Sequence, residues 1–266
     1  MVRFRTVPAM ATASALAVGL QAIAVLPVET QSSFARLSGL ELTPSAFAQQ
    51  SRGISYKPPK LKRAIRTAGT GSRGCDKFNR VTILPLVPDN HVGLTASPRP
   101  TFMAYLVGAK SAEFTLVEPG VNKPLAVKTV QPNAKGIVKV ELPTTTPDLI
   151  ADKDYRWSIA VICNPNRRSQ DIYAQGWVQR VPITNELGKA IASTRSDQVR
   201  ARLYAEAGMW YDAIAILSSA NATDPKNSAV REDLAALLNQ VGLPNIASTF
   251  QDGLQTARLQ PAPAKN

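Results

Sequence analysis

The residue types that support catalysis are sparse in this chain of 266 residues. Its single histidine, His91, is the one imidazole that a catalytic triad or a metal site could use. His91 lies in the turn-like segment 88–93, and we expect it to be exposed in a loop. The sequence contains no HExxH, Walker, GxSxG or CxxC pattern. These observations predict a protein that is not an enzyme and that carries no cofactor and no metal.

Two other patterns have the letters of a ligand site without its context. Asp148, Asp152 and Asp154 could offer oxygen ligands to calcium, but their spacing is not that of an EF-hand loop. Residues 69–74 spell a dinucleotide-binding glycine pattern, yet the required preceding strand and following helix are not predicted there. We expect neither site. A pair of facing carboxylates, as in glycosidases, depends on distances in space and stays open at this stage.

Basic and aromatic residues are the better candidates for binding a ligand. Arg167 and Arg168 follow Asn-Pro-Asn in a predicted loop, where they could contact an anionic glycan or lipid headgroup or simply keep the loop soluble. Trp177, in the next predicted strand, could either stack on a ligand or pack in the core, which is the commoner place for a strand aromatic. Glycan binding is therefore an alternative function.

The formal net charge of +12 is concentrated before the predicted strands. Residues 49–80 contain nine basic residues and one acid, together with two adjacent prolines and several glycines. This composition predicts a flexible basic linker over residues 49–74. The linker could attach the protein to an anionic glycan or a membrane surface. No recognition motif follows it, so we do not expect nucleic acid as a partner.

The first 48 residues have the order of a secretory signal peptide. Arg3 and Arg5 precede an uncharged run over residues 6–28, and Ala46-Phe47-Ala48 offers a small-x-small cleavage site. An uncleaved membrane anchor is the alternative, because the run approaches the length that spans a bilayer. Either interpretation predicts export of the rest of the chain to the periplasm or the extracellular space.

Export affects how the two cysteines are interpreted. Cys75 and Cys163 are too few and too far apart in sequence to suggest a metal site. In an oxidising compartment an isolated pair is best interpreted as one disulfide. It would tie the start of the predicted β-domain to one of its later strands.

Seven segments alternate as β-strands do, with Pro, Gly or Asn between them. They cover residues 81–87, 101–107, 112–118, 125–131, 136–142, 155–163 and 172–181. Their number and spacing predict an all-β immunoglobulin-like sandwich over residues 75–184. Leu149 followed by Tyr155 resembles a tyrosine corner, whose hydroxyl bonds back to the preceding backbone. We expect Leu149, Tyr155 and Trp157 to be structural core residues.

Residues 197–258 show helical periodicity and the pattern of a tetratricopeptide repeat (TPR). The residues that carry the pattern are Tyr204, Gly208, Trp210, Ala213, Ala220 and Pro225. A weaker second copy places Gly242 34 residues after Gly208, the period of such repeats. Two repeats are fewer than such arrays normally need, so either the sandwich or another protein should cover the open face. The predicted fold is thus α+β with two domains, followed by a disordered tail over residues 259–266.

Several segments together resemble a known family. They are Ser97-Pro98-Arg99-Pro100-Thr101-Phe102, Gly136-Ile137-Val138, Asp154-Tyr155-Arg156-Trp157-Ser158, Ile162-Cys163-Asn164, Gly176-Trp177-Val178-Gln179-Arg180-Val181 and Ala205-Glu206-Ala207-Gly208-Met209-Trp210-Tyr211-Asp212-Ala213. The chain resembles, over about residues 74–242, the cyanobacterial exported family called domain of unknown function 928. The resemblance implies an exported protein and supplies no activity and no functional residues. Our leading hypothesis is a non-enzymatic cell-envelope scaffold that docks another envelope protein through its helices, and the alternative is a glycan-binding module.

Overall fold

The computed structural model describes residues 53–60, 66, 69–71, 81–133 and 136–250, which all belong to one compact unit spanning Gln49–Asn266. Its strands are β1 (Gly69–Gly71), β2 (Val81–Pro85), β3 (Gly93–Thr95), β4 (Phe102–Val107), β5 (Ala112–Val117), β6 (Ala126–Val130), β7 (Ile137–Val140), β8 (Asp154–Val161) and β9 (Ile172–Arg180). Its helices are α1 (Asn185–Ser193), α2 (Asp197–Glu206), α3 (Trp210–Thr223) and α4 (Ser228–Gln240), with residues 244–250 also helical. Strands followed by helices confirm the predicted α+β arrangement.

The strands form two sheets that face each other. One has the order β1-β2-β4-β7 and is antiparallel; the other has the order β3-β9-β8-β5-β6, with a parallel pair between β3 and β9. The ring of Phe102 on β4 lies 5.1 Å from Phe114 on β5 and 5.4 Å from Trp157 on β8, measured between centroids. These aromatic side chains fill the space between the sheets.

Alternation along each strand decides which side chains enter the core. Tyr155, Trp157 and Ile159 on β8 are at most 1% exposed, whereas Arg156 between them faces solvent. The cause is the two-residue period of a strand, which sends successive side chains to opposite faces. Every second residue of β8 is therefore available on the outside of the sheet.

The helices follow local sequence signals. Ser196 accepts a hydrogen bond from Val199 N and Asn227 accepts one from Val230 N, so side chains cap the first turns of α2 and α4. Gly208 has a φ of +76°, a left-handed conformation that glycine adopts without strain, and it turns the chain from α2 into α3. Among the described helices, none is both long and apolar enough to cross a bilayer.

Helix α3 lies over the outside of the four-stranded sheet. Met103 on β4 and Ile137 on β7 point away from the opposite sheet, yet both are buried. They line one cavity together with Ser218 and Asn221 of α3. The later part of α3 therefore lies near the outside of the four-stranded sheet, whereas its first residues, Trp210 and Tyr211, contact β3, β8 and β9 of the five-stranded sheet.

One continuous core joins sheets and helices. Tyr211 of α3 contacts Phe102 at 5.6 Å between ring centroids, and its hydroxyl accepts a 2.7 Å hydrogen bond from Trp157 Nε1. Trp210 Nε1 donates to Leu86 O over 2.8 Å. The predicted boundary between a β-domain and a helical domain is thus crossed by packed aromatic side chains. The division into a β-domain over residues 75–184 and a helical domain over residues 197–258 stays a prediction.

Residues 53–60 lie in the predicted flexible linker but are held between α2 and α4. Ile54 N donates to Asp233 Oδ1 over 3.1 Å, and Tyr56 N donates to Gln240 Oε1 over 2.8 Å. The side chains of Ile54 and Tyr56 are at least nine-tenths buried. Lys57 N also donates to Ala205 O. Apolar residues alternating with exposed ones let this stretch add to the core despite the basic charge around it.

Candidate functional site

Leu149 and Tyr155 lie in the core at the entrance to β8. Both are at most 1% exposed. The Tyr155 hydroxyl accepts a 3.0 Å hydrogen bond from Ile150 N, five residues upstream, which is the type of contact that a tyrosine corner makes. These two residues fix the approach of the chain to β8 and are closed to a ligand.

Trp157 is completely buried and lies against the backbone of β9. A Cβ atom built on Gly176, its partner in register, would lie 2.9 Å from the indole ring. The indole N–H donates to the Tyr211 hydroxyl, which in turn donates to Trp177 O over 2.8 Å. Sequence reasoning missed Tyr211, because the pattern of a helix does not show which strand residue it will contact.

Trp177 has its side chain on the opposite face of β9 from the core. The inward residues of this strand are Ile172, Ala174 and Val178, all at most 9% exposed. Tyr173 shares the outward face with Trp177 and is 62% exposed. The two aromatics are four positions apart, which corresponds to about 13 Å along a strand. Trp177 therefore lies on the outward face of β9 and is partly exposed.

The strand register arranges the outward residues of β5, β8 and β9 in three rows. We call this surface the outer face. Its rows are Glu113–Ala160–Tyr173, Thr115–Ser158–Gln175 and Val117–Arg156–Trp177. Arg156 and Tyr173 are exposed, and the other seven side chains are partly exposed. The two outer rows each contain an aromatic ring, and the middle row consists of hydroxyl and amide groups.

The loop arginines lie at one end of the outer face. Arg168 Nη2 donates to Glu113 Oε1 over 2.8 Å, and Arg168 Nε donates to Asp171 Oδ2. The hydrogen bonds that it donates to Glu113 and Asp171 raise the pKa of the exposed Arg168 guanidinium. Arg167 is exposed beside it, with its backbone N–H bonded to Asn164 O. Arg168 therefore borders the row that contains Tyr173, and its charge is balanced by two carboxylates.

Sequence reasoning missed Tyr173, although a signal for it was present. In the predicted strand 172–181, Tyr173 and Trp177 have the same parity, opposite to that of Ile172 and Val178. A strand with one buried face places residues of equal parity together. Once the inward face of β9 was known, the even spacing of Tyr173 and Trp177 would have placed both side chains on its outward face.

The expectation that His91 is exposed was wrong, because residues 53–60 pack over it. His91 is 8% exposed, and its ring stacks on Tyr56 at 5.5 Å between centroids. Its Nε2 lies 2.7 Å from the Tyr56 hydroxyl, and its Nδ1 lies 2.6 Å from Asn90 Oδ1. Burial lowers the pKa of His91, with Asp89 acting in the opposite direction. The imidazole is thus a packing residue whose contacts with Tyr56 help to hold residues 53–60 against the fold.

The aspartates of the predicted strand entrance are not brought together around an ion. Asp148 forms an ion pair with Arg99 at 2.6 Å, and Asp152 has a left-handed backbone with a φ of 63°. In the described part of the chain, no three His, Cys, Asp or Glu residues cluster closely enough to hold a metal. Residues 69–71 of the glycine pattern form strand β1, and residues 72–74 lie outside the described residues.

A small cavity of about 170 Å³ is lined in part by Asp212, which is half-buried. Burial raises the pKa of Asp212, while a hydrogen bond from Ala96 N to its Oδ2 opposes that shift. Asp212 is the only carboxylate among the described residues that line this cavity. The arrangement fixes the start of α3 to the β3–β4 loop and does not form a facing carboxylate pair.

Most of the TPR-like residues are buried or half-buried within the protein and are not exposed to a partner. Trp210 and Ala213 are fully buried, Tyr204 and Ala220 are half-buried, and Pro225 is exposed after the end of α3. A Cβ atom on Gly208 would lie 2.8 Å from Lys57 O of the N-terminal segment. The sandwich and this segment therefore cover the side of the helices that the sequence left open.

Several predicted features lie outside the described residues. They are the signal peptide (1–48), the tail (259–266) and Cys75. Cys163 is half-buried and packs against the core, with its Sγ 3.6 Å from Val161 O. Its pairing with Cys75 stays a prediction.

Comparison with known proteins identifies a family for both parts of the fold. The chain matches the family described as Domain of Unknown Function (DUF928) over residues 68–250. This range includes every strand and helix α1 to α4. No curated protein matches the chain.

Proposed function

The chain belongs to the DUF928 family, whose description names no activity, and we propose that it is a non-enzymatic envelope protein that binds a glycan on its outer face. The observation that carries this proposal is a pair of outward-facing aromatic residues on one strand, the exposed Tyr173 and the partly exposed Trp177. A polar row separates them. Export and a cyanobacterial source belong to the same proposal and rest on residues 1–48 and on the family resemblance described above.

The chemistry of the outer face fits a sugar chain. Aromatic rings offer apolar faces on which the C–H side of a sugar ring can stack. Thr115, Ser158 and Gln175 between them supply short hydroxyl and amide groups that can bond to sugar hydroxyls. Because these groups are on paired β-strands, binding orders little of the protein backbone.

The charge of the outer face favours a neutral or weakly anionic glycan. Arg156 brings one positive charge into the row of Trp177. At the opposite end, Arg168 and Glu113 neutralise each other through a hydrogen-bonded ion pair. A strongly anionic ligand would require several uncompensated cations close together. Attraction to anionic layers is therefore assigned to the basic residues before β2, which lie largely outside the described residues.

Docking of another envelope protein through the helices is a weaker proposal. Most of the large apolar side chains of α3 and α4 are buried in the core that the helices share with the sheets. Val199 on α2, at 42% exposed, is the one strongly exposed large hydrophobic residue among the described residues of the helices. A stable interface needs a buried cluster of apolar anchors, and one valine does not supply it.

We also propose an immunoglobulin-like sandwich and a TPR-like helical part. The Tyr155–Ile150 bond and the face-to-face sheets support the first. Gly208 and Gly242, 34 residues apart, both have a positive φ at a turn after a helix, which supports a repeated unit.

Glycan binding is tested with the mature protein, the single variants Tyr173→Ala and Trp177→Ala, and Val199→Ala as the matched control. We screen the wild type on a glycan array and then measure the dissociation constant for the strongest ligand by calorimetry. Each outer-face substitution should raise the Kd about tenfold, because it removes a stacking ring worth about 1.4 kcal/mol. The control should bind like the wild type.

Two other results would contradict glycan binding on the outer face, and a third would support docking of a protein through the helices. If no glycan binds, or if both aromatic variants bind as well as the wild type, the outer face is not a glycan site. A protein partner captured by the wild type and lost only in Val199→Ala would support docking through the helices instead. Circular dichroism of each variant shows whether its fold is intact.

A further inference from the structure

Residues 53–60 lie in a groove whose walls come from later parts of the chain. We call it the segment groove, and it is formed by His91 of the loop after β2 and by Ala205, Gly208, Trp210, Asp233 and Gln240 of the helical part. The family match covers residues 68–250. It therefore includes every residue named for the segment groove and leaves out the segment that fills it.

The backbone of the segment is held as a receptor holds an extended peptide. Gln240 Oε1 accepts a 2.8 Å hydrogen bond from Tyr56 N, and Gln240 Nε2 donates a 3.1 Å bond to Ile54 O. Asp233 Oδ1 accepts a 3.1 Å bond from Ile54 N. Exposed and buried residues alternate over residues 53–57, as they do along an extended chain. Side chains of the fold thus pair with backbone groups that an extended peptide can present.

Two side chains of the segment add specificity. Ile54 is 5% exposed and Tyr56 is 7% exposed. The Tyr56 ring stacks on His91 and meets the edge of Trp210 at 5.3 Å between centroids, and its hydroxyl lies 2.7 Å from His91 Nε2. Buried aromatic anchors of this kind dominate the energy of many interfaces. The segment groove therefore fits an aliphatic residue that stands two positions before a tyrosine.

The polar groups of the segment groove have further partners within the helices. Asp233 Oδ2 accepts from Gln198 Nε2 and from Arg202 Nε, each over 2.8 Å. Gln240 Nε2 also donates to Ala236 O over 3.0 Å. Release of the segment would thus leave the buried Asp233 carboxylate paired with a cation. The groove is built to persist when it is empty.

We propose that the segment groove is a peptide-binding site, which residues 53–60 occupy within their own chain and which also accepts residues 53–60 of a second copy. The second copy can make every contact described above, because its segment has the same sequence. The covalent connection gives the chain's own segment a high effective concentration, so that segment occupies the groove in dilute solution. Exchange of segments links copies of the chain at high local concentration, as in domain swapping.

The first experiment uses a labelled synthetic peptide with the sequence of residues 53–60. Its receptor is the full mature chain with the double substitution Ile54→Ser and Tyr56→Ser, which removes both anchors from the attached segment. Fluorescence anisotropy should give a Kd about tenfold or more lower for the double variant than for the wild type, whose groove is already filled. A peptide that carries serine at both anchor positions should bind to neither protein.

Two further substitutions connect peptide binding to the segment groove. Gln240→Leu, added to the double variant, removes two hydrogen bonds to the peptide and should raise its Kd about tenfold or more. Tyr173→Ala on the outer face, added to the double variant in the same way, is the control and should leave the Kd unchanged.

The second experiment asks whether another chain can supply the segment. The double variant has an open groove, and the single variant Gln240→Leu has an intact segment and a weakened groove. Analytical ultracentrifugation of their mixture should show a heterodimer at concentrations at which each variant alone is a monomer.

Three results would overturn the proposal. They are no binding of the peptide to the folded double variant, equal Kd values for the double variant and the wild type, and peptide binding without a heterodimer in the mixture. Circular dichroism shows whether the double variant is folded.

If the double variant does not fold, hydrogen exchange of the wild type decides the question. The amides of Ile54 and Tyr56 should have protection factors about tenfold or more below that of Ile159 in β8, because the segment leaves the groove without global unfolding. Equal protection would show that the segment is an inseparable part of the fold and would also overturn the proposal.

Discussion

Tyr211→Phe removes one oxygen atom from the place where helix and sheet share a hydrogen bond. In the wild type this hydroxyl accepts from Trp157 Nε1 at 2.7 Å and donates to Trp177 O at 2.8 Å. Tyr211 and Trp157 are both at most 1% exposed, so water cannot readily take the place of the hydroxyl. The phenylalanine ring keeps the contact with Phe102, and the change therefore tests the hydrogen bonds alone.

The expected cost follows from what is left unpaired. The buried Trp157 N–H loses its acceptor, which costs about 1–3 kcal/mol, and the bond to Trp177 O contributes about 1 kcal/mol more. We expect the free energy of unfolding to fall by about 2–4 kcal/mol, a large share of the 5–15 kcal/mol typical of a folded domain. The urea midpoint should fall by about 1 M or more.

The assay is equilibrium unfolding in urea, followed by far-ultraviolet circular dichroism and by tryptophan fluorescence. Tyr173→Phe is the matched control, because it removes the same atom from a side chain that is 62% exposed. Its effect should stay within about 0.5 kcal/mol. Since Trp157 and Tyr211 join sheet and helix, the two probes should give coincident transitions.

A double-mutant cycle completes the test. Trp157→Phe removes the donor, so adding Tyr211→Phe to it no longer leaves a buried N–H unpaired. The second substitution should then cost at least about 1 kcal/mol less than it does alone. Equal losses for Tyr211→Phe and Tyr173→Phe would refute the reasoning, as would additivity within the cycle.

The remaining predictions concern His91 and two glycines. Burial lowers the pKa of His91 below its value in the unfolded chain, so its contribution to the unfolding free energy is complete above about pH 6.5 and is lost as the pH falls through the folded pKa. His91→Gln should flatten this part of a plot of unfolding free energy against pH. An unchanged plot would contradict the prediction. Gly176→Ala should cost about 1–3 kcal/mol, because its Cβ would lie 2.9 Å from the enclosed Trp157 ring. Gly188→Ala in α1, with nothing within 4 Å of its Cβ, should instead stabilise by about 0.5–1 kcal/mol in the same urea assay.

Elements with a strong periodic pattern were predictable, and short or solvent-exposed ones were not. The strands from β4 to β9 and the helices α2 to α4 lie where alternation and helical spacing placed them. Strand β3 was missed because three residues are too few to show alternation. Helix α1 was missed although Leu187 and Ile191 lie four residues apart on one face of it, because the segment was interpreted as a polar connection between the strands and the later helices.

The candidate site was only half predictable. Trp177 and Arg168 were named from their residue types, but their neighbours come from other strands. Glu113, which pairs with Arg168, precedes it by 55 residues. Register between strands depends on the whole sheet and its turns, and no local pattern records it.

The sequence by itself determined the local elements, the order of strands before helices and the family. Periodicity and caps act over a few residues, so they can be read along the chain. Only the tertiary structure decided that Tyr211 bonds to Trp157, that residues 53–60 bury His91, and that Tyr173 joins Trp177 on an open face. These outcomes depend on contacts between segments that are far apart in sequence. A buried polar group needs a hydrogen-bond partner, and which group provides it is decided only when the segments pack together.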